Sequence, residues 1–183
     1  EVSNTSLGVM LKENKINKHL DKTKNTYLTF FKSTYIQHRE QANLINKLFI
    51  NKDEIVDIYK DLQKANVKEK DILRDKLYNL VKANYKKLEA FNIRQLHFHL
   101  SNNDSFLRMH KPQKFGDNLT GVRKTIEYVN KNHKKIDGFE EGRIYNGFRF
   151  VFPITDEKGN HLGSVENSYS ANTFIGHMME TYK

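Results

Sequence analysis

Gln95-Leu96-His97-Phe98-His99-Leu100 (QLHFHL, residues 95–100) marks a change of period along this chain. Apolar and polar residues alternate through it, the pattern of a half-buried strand. Strand side chains switch sides at each residue, so Leu96, Phe98 and Leu100 share one face and His97 and His99 the other. Ser101-Asn102-Asn103-Asp104 is turn chemistry, and Ser105 to Met109 reads as the returning strand of a hairpin. Upstream the period is helical. From Ser3 to Phe49 there is no proline, and no glycine after Gly8. Ile16, Leu20, Tyr27, Phe31, Tyr35, Ile45 and Leu48 recur mostly at steps of three, four or seven, one face of a single long helix. A second helix is expected from Asn51 or Asp53 to Leu62. A third is expected from about Lys68 to Phe91, closed by Asn92.

Downstream, Asp117-Asn118 and then Leu119 to about Asn130 read as a short helix with Val122, Ile126 and Val129 inward. Ile136 to Glu141 reads as a short strand and Gly142 to Ile154 as an aromatic-rich one. Asp156-Glu157-Lys158-Gly159-Asn160 is a hairpin turn before Leu162 to Ser170, and a terminal helix starts near Phe174. The expected class is α+β: a long N-terminal helix and further helices on one side of an antiparallel sheet. The division is a helical region, 1–95, and a sheet module, 96–183.

Composition supports that division. The chain has 183 residues, 31 Lys+Arg, 22 Asp+Glu and no cysteine. Disulfides, thiolate metal sites and cysteine nucleophiles are therefore excluded. Residues 1–95 carry a net charge of +7 and residues 96–183 only +2. The basic excess lies along helices with acids interleaved, so it reads as a solvated surface. With no RNP-type or helix-turn-helix pattern, nucleic-acid binding is the least favoured function. No apolar run approaches the ~18 residues of a membrane span and no signal peptide is recognisable. Beginning at Glu1 rather than Met, the chain reads as excised from something larger.

Polar residues inside the strands are the candidates for function. Alternation places Phe106, Arg108 and His110 on one face of the second strand. It separates Arg149 and Val151 from Phe148, Phe150 and Phe152, and groups Ser164, Glu166 and Ser168. The gathered face would hold His97, His99, Arg108, Arg149 and Glu166. The bland reading of such a face is that it is solvated. Phe106 and Val151 on the same side argue instead for a concave small-molecule pocket. A metal site built on His97 and His99, completed by His110 or Glu166, is the alternative. The two arginines oppose a cation there. No nucleophile elbow, phosphate loop, HExxH or cofactor motif is present, so an enzyme is not expected.

The segments LHFHLSNNDSFLRMHKPQKFGDNL (96–119), GFEEGRIYNGFRFVFPI (138–154) and HLGSVENSYS (161–170) resemble the Cache sensor domains of bacterial transmembrane receptors, most nearly the double-Cache class. That resemblance implies a PAS-like sheet that holds a ligand in an extracytoplasmic (periplasmic) module. The module would be tethered to the inner membrane, with a chemotaxis, histidine-kinase or diguanylate cyclase output elsewhere. Motif positions fall on His97, His99, Arg108, His110, Asp117, Arg123, Glu140, Gly142, Arg149, Gly163 and Glu166. Ser101 replaces the family's proline, and Asn118 its second acid. The length implies one module rather than two, either a single-module variant or a fragment of a double one. The expected ligand is a small molecule, a carboxylate among the candidates. Arg108 and Arg149 would bind its charge, His97, His99, His110, Glu166 and Ser168 would supply polar contacts, and Phe106, Tyr145 and Val151 would close the apolar side. No cofactor is expected. A homodimer through the long helix would carry a small shift toward the membrane.

Overall fold

A computed structural model describes residues 2–142 and 146–181. The first helix, α1 (Val2–Ile45), runs on through five residues of π-helix, Asn46–Ile50. It is followed by α2 (Asp53–Leu62) and α3 (Val67–Glu89). Asn66 caps α3: its side chain accepts from the Glu69 backbone N–H at 3.1 Å while the Glu69 carboxylate accepts from the Asn66 N–H at 2.7 Å, a reciprocal capping box. Asn92 takes φ 61°, as a closing asparagine should. Among the described residues no helix is long and apolar enough to cross a membrane.

Strands β1 (Gln95–Leu100), β2 (Ser105–Arg108), β3 (Ile136–Glu140), β4 (Gly147–Thr155) and β5 (His161–Ser170) form one antiparallel sheet in the order β2-β1-β5-β4-β3. The short helix α4 (Lys124–Asn132) precedes β3, and α5 (Ala171–Thr181) follows β5. The expected α+β class and long first helix are both present. One hydrophobic cluster joins Ala42, Ile45, Ile58, Tyr59, Leu77 and Leu88 from the helices to Leu96, Phe98, Phe150 and Val165 from the sheet.

The last third of α1 seats on this apolar face. The Tyr35 hydroxyl donates to Asp137 Oδ2 at 2.5 Å, and the Tyr169 hydroxyl to Gln41 Oε1 at 2.9 Å. Phe174 of α5 stacks on Phe148 with centroids 3.9 Å apart and lies 5.3 Å from Phe31. His38 joins α1 to α5, its Nε2 lying 2.9 Å from His177 Nδ1.

Two expectations need correction. The helices do not all lie on one side. Leu119, Ile126 and Val129 enclose Val151 and Ile136 in a second, smaller cluster, so α4 covers the opposite face. Val151 is thus sealed under a helix rather than lining an open pocket. That helix also begins at Lys124, not Leu119: Gly121 is left-handed and Arg123 extended, so the preceding residues form a turn.

Candidate functional site

The face under α4 carries a buried polar cluster. Register explains how it forms: His97 pairs with both Arg108 and Glu166, His99 with Ser164, and Arg149 with Ser168. The alternation read at residues 95–100 therefore carries through β1, β5 and β4, and Arg108 of β2 joins the same face. His97, His99, Arg108, Arg149, Glu166 and Ser168 are all buried, with His99 and Glu166 at 0% exposure.

Phe106 does not join them. The β1–β2 ladder shifts register between Phe98 and His99, passing from Phe98↔Leu107 to His99↔Ser105. Phe106 is the extra residue of that bulge and belongs to the main core. There its ring meets Tyr59 at 6.2 Å, and the Arg74 guanidinium lies over it. The same bulge delivers Ser105 to the polar side, where its Oγ lies 2.8 Å from His97 Nε2. His110 sits past the end of β2 and is exposed at the rim. Tyr145 lies outside the described residues.

Arg108 and Arg149 are both held by carboxylates of this chain. Arg108 donates to both oxygens of Asp117, at 2.7 and 2.8 Å, and to the Lys114 carbonyl at 2.8 Å. Asp117 is aimed there because residues 116–118 run beside β2: Gly116 N–H donates to Ser105 O and Ser105 N–H to Asp117 O. The guanidinium holds the Asp117 carboxyl below the usual carboxylate range. Arg149 lies between two acids, with Nε 3.0 Å from Glu140 Oε2 and Nη1 2.5 Å from Glu166 Oε1. Glu140 is fixed in turn by the Thr125 hydroxyl at 3.0 Å.

Arg123, at the turn into α4, is placed differently. Its Nη1 meets the Val122 and Glu141 carbonyls at 3.3 Å. Among the described residues no carboxylate lies within ion-pair distance of it. Burial and the neighbouring Arg149 charge lower its pKa, so it belongs electrostatically to the same cluster. Arg123 and Glu140 stand at motif positions, yet neither strand alternation nor apolar periodicity marks them as site residues.

The histidines are neutral. Burial, His99 and Arg108 push His97 well below its ordinary value. Burial pushes His99 down to about 4 against the pull of Glu166. For Glu166 burial acts upward, but the Arg149 guanidinium leads the opposing pull and the carboxyl stays below its ordinary range. At neutral pH the described residues of this face therefore offer three guanidinium groups, three carboxylates and two uncharged imidazoles.

Comparison with known proteins places this arrangement. Residues 62–182 match the model of the double sensory domain of two-component sensor kinases, of the Cache type. No curated protein matches the chain by sequence. Among solved structures, the sensor domain of DcuS from Escherichia coli aligns at 12% identity and TM-score 0.62, over 81% of this chain and 98% of that one. The sensor domain of the histidine kinase DctB from Vibrio cholerae aligns at 15% and 0.64, over 88% and 60%. The sensory domain of the chemoreceptor Tlp3 from Campylobacter jejuni, solved with isoleucine bound, aligns at 11% and 0.56, over 86% and 62%. The chain thus spans almost all of the first and about three fifths of the other two. At such identities the likeness concerns the fold.

Proposed function

The chain belongs to the family of double Cache sensory domains of two-component sensor kinases, and from that premise we propose that it is the extracytoplasmic ligand-sensing module of a membrane-tethered receptor, built as one module from the 1–95 helices and the 96–183 sheet. Domains of this family sense ligands rather than catalyse. The ligand we assign is a small molecule bearing a carboxylate, bound between the polar face, α4 and the segment 109–123. The observation carrying this reading is the buried cluster of arginines, acids and histidines on a sheet face that a helix and a loop cover.

The pairing within that cluster refines the sequence-based expectation. Arg108 and Arg149 are already neutralised, so they orient the site and stiffen it. Arg123 is the arginine without a carboxylate partner among the described residues, and it receives the ligand's carboxylate by charge-assisted hydrogen bonds. The acids balance the arginines, so a ligand that also bears an ammonium group suits the face. The Tlp3 domain was solved with isoleucine and with L-valine, which are of this kind.

Binding to the folded state raises thermal stability by mass action. At a hundredfold excess over Kd the gain is about 2.7 kcal/mol, or about 5–10 °C for a domain of this size. A stripped domain screened against amino acids and small carboxylic acids should show such a rise with at least one. Arg123→Ala should abolish it while circular dichroism stays unchanged. A panel without any shift, or a shift undiminished in Arg123→Ala, would reject the assignment.

A homodimer through α1 accompanies this reading. Val9, Ile16, Leu20 and Tyr27 are exposed, and their steps of seven and four follow a coiled-coil seam. Leu20→Glu should lower the dimer fraction in sedimentation without altering the melting of the monomer. An unchanged sedimentation profile would remove α1 from the interface.

A further inference from the structure

We propose that His97, His99 and Glu166 form a binding site for one divalent transition-metal ion at the floor of the polar face. All three are buried, and one ligand atom from each lies within 4.8 Å of the others. The histidines stand at i, i+2 on β1 and Glu166 lies directly across the ladder from His97. Their ring centroids are 4.1 Å apart. Around a tetrahedral ion the ligand atoms would lie roughly 3.4 Å apart, so modest ring rotation closes the set.

Two unmet polar atoms point to a missing partner. His99 Nε2 and Glu166 Oε2 are buried and, among the described residues, have no hydrogen-bond partner. Such atoms are costly inside a protein, and a cation satisfies both at once. The outer contacts are also those that a metal site needs. His99 Nδ1 lies 3.2 Å from Ser164 Oγ, leaving Nε2 as its lone-pair side. His97 Nε2 lies 2.8 Å from Ser105 Oγ, leaving Nδ1. Arg149 holds the other oxygen of Glu166.

Charge permits a cation despite the arginines. Arg149 is shared by two carboxylates, Glu140 and Glu166, so that group carries a net negative charge. Arg108 is cancelled by Asp117, and among the described residues Arg123 is the remaining positive neighbour. Two imidazoles and a carboxylate suit zinc, nickel, cobalt or iron(II) rather than magnesium or calcium, which prefer all-oxygen sets.

The test uses the tag-free domain, stripped with chelator and free of small molecules, so its outcome is separate from the carboxylate screen. Zn(II) titrated calorimetrically should bind at one ion per chain, and Co(II) should develop d–d absorption. His99→Gln and Glu166→Gln should each weaken binding about 100-fold and Ser164→Ala about 10-fold. His133→Gln/His161→Gln, at the stacked pair beside α4, should leave it intact. Should a variant fail to fold, the ring resonances of His97 and His99 in the native protein decide: both should shift on adding Zn(II). Unmoved rings, or affinity retained in His99→Gln, would overturn the site.

Discussion

Arg149→Met should lower the unfolding free energy by about 3–5 kcal/mol, the largest single effect expected in this protein. Arg149 is 3% exposed and its partner Glu166 wholly buried. Removing the guanidinium leaves a desolvated carboxylate whose principal compensating charge has gone, with Glu140 still beside it. The effect measures the cost of stranding that charge rather than the net worth of the pair. Arg149→Met/Glu166→Gln should therefore recover more than half of the loss. The pH dependence should reverse as well. In the native chain the Glu166 carboxyl is held below its ordinary value of 4.5. Its contribution is then fully present above that value and is lost as pH falls through the folded pKa. Without Arg149, burial dominates and the folded pKa rises, so the variant loses stability as pH climbs past 4.5. Urea midpoints between pH 4 and 8 check both statements. A loss of under ~1 kcal/mol would mean that the pair behaves as an exposed one.

The next largest effect is expected at Gly163, where a single methyl group has no room. A Cβ there would lie 2.5 Å from the His99 carbonyl oxygen and 2.5 Å from Tyr59 Cε1. Neither neighbour yields easily. The carbonyl belongs to β1, which pairs with β5 along its whole length. Tyr59 is fully buried, and its hydroxyl donates to that same carbonyl at 3.2 Å. Gly163 is thus the gap through which α2 docks on the sheet. Gly163→Ala should cost about 3 kcal/mol, at the upper end of ordinary overpacking. Gly138→Ala, on the same sheet with nothing among the described residues within 4 Å of its Cβ, should stay within about 0.5 kcal/mol of native. Equal denaturation midpoints for the two would refute the docking argument.

Much of this architecture can be read from period alone. The six residues from Gln95 separate Leu96 and Phe98 from His97 and His99, and the ladder preserves that separation out to Arg149. Phe106 could not be placed so, because alternation fails at a bulge and the extra residue leaves no compositional trace. The side taken by α4 is set by the route of residues 109–123, which have no period. Whether Arg108 faced a ligand or its own chain depended on Asp117, nine residues away. The backbone bonds of Gly116 and Asp117 to Ser105, with the bridge of Asn118 to Asp104, bring that acid alongside. Local chemistry thus reveals which residues share a face, whereas the pairings within the face belong to tertiary structure.

The first helix has one further consequence, a mechanical one. Its residues 7–29 are exposed save Thr23, while the sheet, α5 and the His38–His177 contact grip it from Phe31 onward. Those free residues make a rod of about 35 Å at 1.5 Å per residue. With the grip as fulcrum, each 2° of tilt displaces the far tip by about 1 Å by rigid-rod geometry. The short arm lies over the sheet whose opposite face carries the buried charges. A rearrangement too small to change the fold would thus be geared up several-fold before it left the domain.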